Sequence, residues 1–478
     1  MLGMIPQLTQ VSRASRRDGI GRLPIYLGIS LFLCLSHVLG SKVLISICLA
    51  TLLVAAMEAS YRSVEFEFLL FFLPWSPLLK QQVGDTSFFT IALLMLCFFA
   101  LIRSRFVVRR FQMLLPVLLL LITLLAKIIQ GHSLDRSYLL YFCLLITFPC
   151  VLVKDQNCKE SLFSISIFFA FGIISAAFSA QAVAGYPNIS RFINVASWAH
   201  VTRLSGYYGD ANFYSAQINA CIACLLVVLS KEDSTGLRAG VIALLVVLLY
   251  CGLLSASKSF VIVGACEFFV WVLLMLSRRR KKLSGFVLLV TAVLVLLFVL
   301  STSAFQELLR VLDDRFSYAA SLSEVTTGRT DVWINYLNLF THDPEVALLG
   351  EGLTNVTLDA LYGKASHNTV IQCVFQFGLI GTPLIVAWLL NMFKSTPSHI
   401  SGKMNIMAFV LLLVGVFLPW FGLDYLFFDE FFLFPGLVTK CAALVSDTPS
   451  EGDAERQEQE FNRVLPTQRT NGMDGEYE

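Results

Sequence analysis

Apolar runs of about 17 to 20 residues recur along this chain from Pro24 to Leu444, each long enough to cross a bilayer as a helix. In hydrocarbon every backbone N–H and C=O has to be satisfied inside the segment, so such runs become helices. The expected fold class is therefore all-α, a polytopic integral membrane protein. Composition agrees, with 14% charged residues among 478, where a soluble chain carries roughly a quarter. Spanning length predicts about 14 transmembrane helices. Eleven fall within 24–301 and three within 369–444. The run at 65–79 is short and carries Pro74 and Pro77. No repeat of about 20 to 50 residues divides the chain, and no paired broken helices mark two transporter halves.

Cationic clusters set the expected sidedness. Arg13, Arg16, Arg17 and Arg22, then Arg103, Arg105, Arg109 and Arg110, then Arg278 to Lys282, fall in alternate loops. By the positive-inside rule that side is cytoplasmic. Residues 1–23 are then a cytoplasmic N-terminal segment, and the first span is retained rather than cleaved as a signal peptide. The acidic, Gln- and Gly-containing stretch 445–478 reads as a disordered cytoplasmic tail. The hydrophilic segment 302–368 lies outside and reads as the external catalytic loop.

A formal charge of +2 with no basic, aromatic-interleaved stripe gives no reason to expect nucleic acid. Most of the twelve cysteines sit in apolar runs and read as small hydrophobes. Cys221 and Cys224 form a C-x-x-C without a second pair, so no metal or redox centre is expected.

Polar residues of chemical interest collect on the external side. Arg203-Leu204-Ser205-Gly206 leads to Gly209-Asp210-Ala211-Asn212, where the glycines allow tight turns and Asp210 or Asn212 can cap the next helix. Arg203 also fits an interface anchor. Lys258 follows the short Ser255-Ala256-Ser257 turn, either as a positive charge in a cavity or as a helix end. Within 302–368, Phe305, Leu308, Leu309 and Leu312 have the spacing of an amphipathic surface helix. Gly328-Arg329 precedes a second helical pattern, with Thr330 or Asp331 as its cap. Ser366-His367-Asn368 opens the following span.

Arg203, Arg329 and His367 share a position at, or just before, a helix N-terminus. Free N–H groups and the positive end of the dipole favour anions there. Two guanidinium forks at such ends suit a pyrophosphate. A histidine beside it is a candidate general base for a hydroxyl attacking the carbon that bears the phosphate, although a histidine can equally cap a helix. His200 is near Arg203 in sequence and a lesser candidate. Asp429 and Glu430 fall just inside the last apolar run. Carboxylates are costly in lipid, so they should face protein, water or a ligand.

These residues resemble the bacterial O-antigen ligase and O-antigen polymerase superfamily. The resemblance rests on Arg203-Leu204-Ser205-Gly206 with Asp210-Ala211-Asn212, on Gly328-Arg329 with Trp333, and on Leu349-Gly350-Glu351-Gly352. It continues with His367-Asn368 followed by Gly378-Leu379-Ile380-Gly381, and covers roughly 195–395. It implies a metal-independent membrane glycosyltransferase, without cofactor, at the outer face of the cytoplasmic membrane. The implied donor is an oligosaccharide on undecaprenyl pyrophosphate. Arg203 and Arg329 would hold the pyrophosphate, His367 would assist the acceptor hydroxyl, and the anomeric configuration would invert. Where family members often carry arginine, this chain has Lys258, which keeps the charge and loses the fork.

The implied activity is polymerisation of lipid-linked repeat units, with ligation to a lipid A core or protein as the alternative. A chain-length regulator and a flippase of the same pathway are the implied protein partners. A polysaccharide flippase is the rival reading. Transporters place polar residues near the midplane, whereas this chain gathers them at external helix starts.

Overall fold

A computed structural model describes residues 21–80, 87–103, 110–131, 136–152, 160–190, 192–193, 197–198, 201–232, 234–276, 306, 310, 328–353, 365–393 and 403–446. The predicted span near 284–301, the proposed amphipathic helix at 305–312, apart from residues 306 and 310, and the tail beyond 446 lie outside the described residues, as does His200.

The helices among the described residues are named in order of chain. They are α1 (Leu23–Val38), α2 (Lys42–Tyr61), α3 (Glu65–Phe72), α4 (Phe88–Arg103), α5 (Arg110–Gln130), α6 (Arg136–Val151) and α7 (Leu162–Val183), then, after the four-residue α8 (Pro187–Ser190), α9 (Ala211–Lys231), α10 (Thr235–Leu254) and α11 (Lys258–Leu276). The short helices α12 (Arg329–His342) and α13 (Pro344–Leu349) precede α14 (Thr369–Phe393), α15 (Lys403–Phe417) and α16 (Glu430–Ser446). Among the described residues seven helices are long and apolar enough to cross a membrane, and four more are apolar but shorter. Among the described residues the all-helical expectation is relaxed only by a two-residue antiparallel pairing, Ser197–Trp198 with Val201–Thr202.

α9 is the axis of the bundle. Its residues from Phe213 to Ser230 are buried on every side, as expected of a helix apolar all round. It packs against α7, α10, α11 and α15. By contrast α2 and α5 leave Val43, Ile47, Val54, Phe111, Leu121 and Ile128 exposed on their outer faces. A soluble protein would not leave such continuous apolar surface to water, whereas lipid covers it at no cost.

The two prolines of 65–79 act as the sequence suggests. α3 stops at Phe72 and a 3₁₀ segment, Leu73–Leu79, carries the chain onward, because Pro lacks the N–H an α-helix needs. A second break was not anticipated. α14, expected as one continuous span, is interrupted at Gly378, whose backbone lies at φ 64°, ψ −177°.

Candidate active site

Arg203 is the first residue after the small β pairing. Its Nε donates to the Ser255 carbonyl at 2.9 Å, and Nη2 lies 3.4 Å from Asn212 Oδ1. The Leu204 N–H donates to the Leu254 carbonyl at 3.0 Å. Arg203 therefore sits against the C-terminal end of α10, eight positions before α9 begins, and not at a helix N-terminus as expected. The attraction is the same electrostatics with the sign reversed: a cation completes the unpaired carbonyls of a helix end. Asp210 caps α9, its carboxylate accepting the Asn212 N–H at 2.7 Å. Gly206 and Gly209 hold left-handed φ of 56° and 68° in the turn between. Asn212 does not cap. Its Oδ1 accepts from Ser257 Oγ at 2.8 Å, so it links Arg203 to the turn before α11.

Arg329 is the first residue of α12. The helix is entered through Gly328, at φ 79°, and not through a Thr330 or Asp331 cap. The guanidinium reaches the loop before α16, where a β-carbon on Gly422 would come within 2.9 Å of Nη1. Gly422 is at φ −125°, an ordinary angle, so the position needs glycine for room and not for conformation. Burial pulls Arg329 below the ordinary guanidinium range, opposed by Asp210 and Asp424 nearby. Burial lowers Arg203 too, opposed by Asp210. Both remain cations at neutral pH. Among the described residues Arg329 makes no hydrogen bond or ion pair, so its five donors are uncommitted.

His367 is placed by its backbone. Its N–H donates to Asp424 Oδ2 at 2.8 Å, and the next N–H, of Asn368, donates to Asp424 Oδ1 at 2.9 Å. Ser366 Oγ donates to the same carboxylate. One aspartate thus gathers three successive residues, a group of charge-assisted bonds each worth roughly 1.5–3 kcal/mol. They hold His367 at φ 48°, a left-handed conformation that costs a non-glycine residue about 1–2 kcal/mol. His367 is not the helix cap: Asn368 Oδ1 accepts from Val370 and Ile371 at 2.9 and 3.2 Å. Trp333 of α12 donates to the Ser366 carbonyl at 2.8 Å, which ties Arg329's helix to the histidine turn. The imidazole is half-buried and makes no hydrogen bond among the described residues.

The break in α14 has a specific use. Without helical continuation past Gly378, the carbonyls of Phe375 and Gln376 are free to accept from Glu351 and Gly352 N–H at 2.8 and 2.9 Å. A side chain at Gly350 would meet the Gln376 carbonyl at 2.5 Å, so both glycines are where two backbones meet. Gln130 of α5 closes the junction on the Gly350 carbonyl at 2.7 Å. The two glycine motifs seen in the sequence are halves of one joint, which fixes α13 against α14.

The remaining predicted residues scatter. Lys258 is the half-buried first residue of α11. Asp429 immediately precedes α16 and Glu430 is its first residue. Asp429 Oδ1 accepts from Thr90 at 2.9 Å, and Glu430 Oε1 from Gln217 at 2.9 Å. Asp424 and Gly422 were missed. Asp424 is a carboxylate in a run otherwise read as membrane, the same signal that drew attention to Asp429.

Arg203, Arg329, His367 and Asp424 thus meet at one end of the bundle, three of them on loops and Arg329 at the start of α12. No curated protein matches the chain. Residues 243–386 match the family model described as O-antigen ligase. That segment holds Arg329, His367, Ser255 and the glycine joint, and the chain is a multi-pass membrane protein that over this segment is similar to the O-antigen ligase family.

Proposed function

We propose that this chain transfers a glycan from undecaprenyl pyrophosphate to an acceptor hydroxyl on the outer face of the cytoplasmic membrane, and that it works as a polymerase of lipid-linked repeat units. The carrying observation is the pair of half-buried cations, Arg203 and Arg329, one of them with no hydrogen bond among the described residues, beside the uncommitted imidazole of His367. A half-buried guanidinium without an acceptor, beside a second one that is only partly engaged, suits a dianionic ligand.

In the reaction the acceptor oxygen attacks the anomeric carbon, and its proton passes to a ring nitrogen of His367. The bond from that carbon to the pyrophosphate oxygen breaks, and its electron pair leaves with the pyrophosphate. The two arginines neutralise the charge that develops, the largest single contribution in many such sites. Attack opposite the leaving group inverts the anomeric centre. Asp424 acts through position, by setting the His367 turn.

A ligase reading follows from the description of the matching family. Purified protein incubated with a single lipid-pyrophosphate repeat separates the two. A ladder of multiples that His367→Ala and Arg329→Ala abolish supports polymerisation. Transfer only after a core lipid or protein acceptor is added supports ligation, and silence in both arms returns the chain to a transport role.

A further inference from the structure

Asp429 occupies the position before α16 where an aspartate ordinarily caps the helix with its side chain. Here it does not. The first-turn N–H groups of Phe432 and Leu433 go to its backbone carbonyl instead, and its carboxylate accepts from Thr90 of α4. Its second oxygen has no protein partner among the described residues. Lys80, exposed at the end of the 3₁₀ segment, holds its ammonium 4.8 Å from the centre of the Phe428 ring and exerts a positive field on Asp429.

A run of packed aromatic rings, half-buried at Phe428 and Tyr208 and buried at Phe213, joins this group to the arginine site. Phe428 packs on Phe213 with ring centres 4.5 Å apart, and Phe213 stacks on Tyr208 at 6.3 Å and 16°. Phe213 lies one turn after Asp210, whose charge acts on Arg329. Asp424 and Asp429 are five residues apart on one loop, at most roughly 18 Å, a distance that a short oligosaccharide bridges.

We propose that Asp429, with Thr90 and Lys80 beside it, is a saccharide subsite that takes the hydroxyl groups of a neutral sugar in the glycan. A carboxylate with one fixed and one open oxygen accepts from neighbouring hydroxyls, and an aromatic wall with few oriented polar groups is the usual make-up of a small-molecule site. Lys80 disfavours a metal cation at the same place. The inference rests on the glycosyl-transfer reading for its ligand, but its test does not need turnover.

The probe is the repeat oligosaccharide cut from the host's own surface polysaccharide, free of lipid and pyrophosphate. Its binding to the full-length protein in detergent is measured for wild type, Asp429→Asn and Thr90→Val. Binding by wild type, weakened about tenfold by each substitution, supports the subsite. Two substitutions guard against one being misfolded, and thermal melting checks both. Equal affinity in all three proteins, or no binding to wild type, overturns it. Binding of the free oligosaccharide by a protein that transfers nothing from lipid-linked donor leaves the subsite standing and removes the glycosyl-transfer reading instead.

Discussion

The two ends of the helix bundle treat charge in opposite ways. At the end holding the first residues of α1 and α3, the buried cations among the described residues are paired with carboxylates. Arg22 bonds Glu67, Arg103 bonds Glu65, and Lys440 lies 2.9 Å from Glu160, whose other oxygen accepts the Phe66 N–H at 2.7 Å. Most of these groups are buried in full. At the other end Arg329 and the His367 ring have no hydrogen bond among the described residues, and the carboxylate between them is spent on backbone N–H groups. Charges that hold helices together come in satisfied pairs, because an unpaired one is too costly. Charges kept ready for a ligand are left open. The contrast separates scaffold from site without reference to any relative.

The strongest way to press the comparison is at His367. Replacing it with alanine should lower kcat by about 10²–10⁴, the range of a general base, with melting temperature unchanged, as followed in a single-turnover transfer assay. Next comes a matched pair. Arg329→Met should cost about 10²–10³ in transfer rate while leaving membrane abundance as in wild type. Arg22→Met should do the reverse: it leaves Glu67 buried without its cation, a loss of about 3–5 kcal/mol, visible as loss of folded protein in size-exclusion profiles. If both arginines behaved alike, the distinction between the two ends would fail.

Asp424→Asn keeps the shape but removes the charge from three hydrogen bonds. It should reduce kcat by roughly 10- to 100-fold, a loss of about one charge-assisted bond, and leave the affinity for the pyrophosphate donor nearly unchanged. The smallest effect concerns Asp429, whose carboxyl is pushed up to about 7, first by burial and then by Glu430, against Thr90 and Lys80. The fold therefore penalises its ionised form. Stability is lost as pH rises from the ordinary carboxylate range through about 7, and the loss is complete above it. Asp429→Asn lacks the penalty. Its melting temperature should exceed that of wild type by a margin that grows from pH 4 to 7 and then levels off.

The architecture was plain in the sequence because lipid admits so few solutions. Run length alone locates most helices, and Pro74 and Pro77 mark where α3 gives way. Arg203, Arg329, His367 and the Asp210 cap were also visible, since charged groups and glycines stand out among apolar residues. What escaped was relation. Nothing local says that Arg203 turns to the Ser255 carbonyl, that Gly378 breaks α14 to receive Glu351 and Gly352, or that Asp424 reaches back 57 positions to the His367 N–H. Those contacts depend on which helices are neighbours, and apolar runs of similar length are interchangeable in that respect. The cap of α12 was misplaced for a related reason: Thr330 and Asp331 have capping side chains, but Gly328 offers the left-handed turn that lets Arg329 enter the helix.

The central claim is that Arg329, together with the partly engaged Arg203, binds a lipid pyrophosphate, and equilibrium binding of undecaprenyl pyrophosphate to the purified protein tests it without any need for turnover. Wild type should bind, Arg203→Gln and Arg329→Gln should each weaken binding by more than about tenfold, a single charge-assisted contact, and Gly422→Ala should fall between as its methyl displaces Nη1 of Arg329. Affinities that were the same for all four proteins would contradict the account.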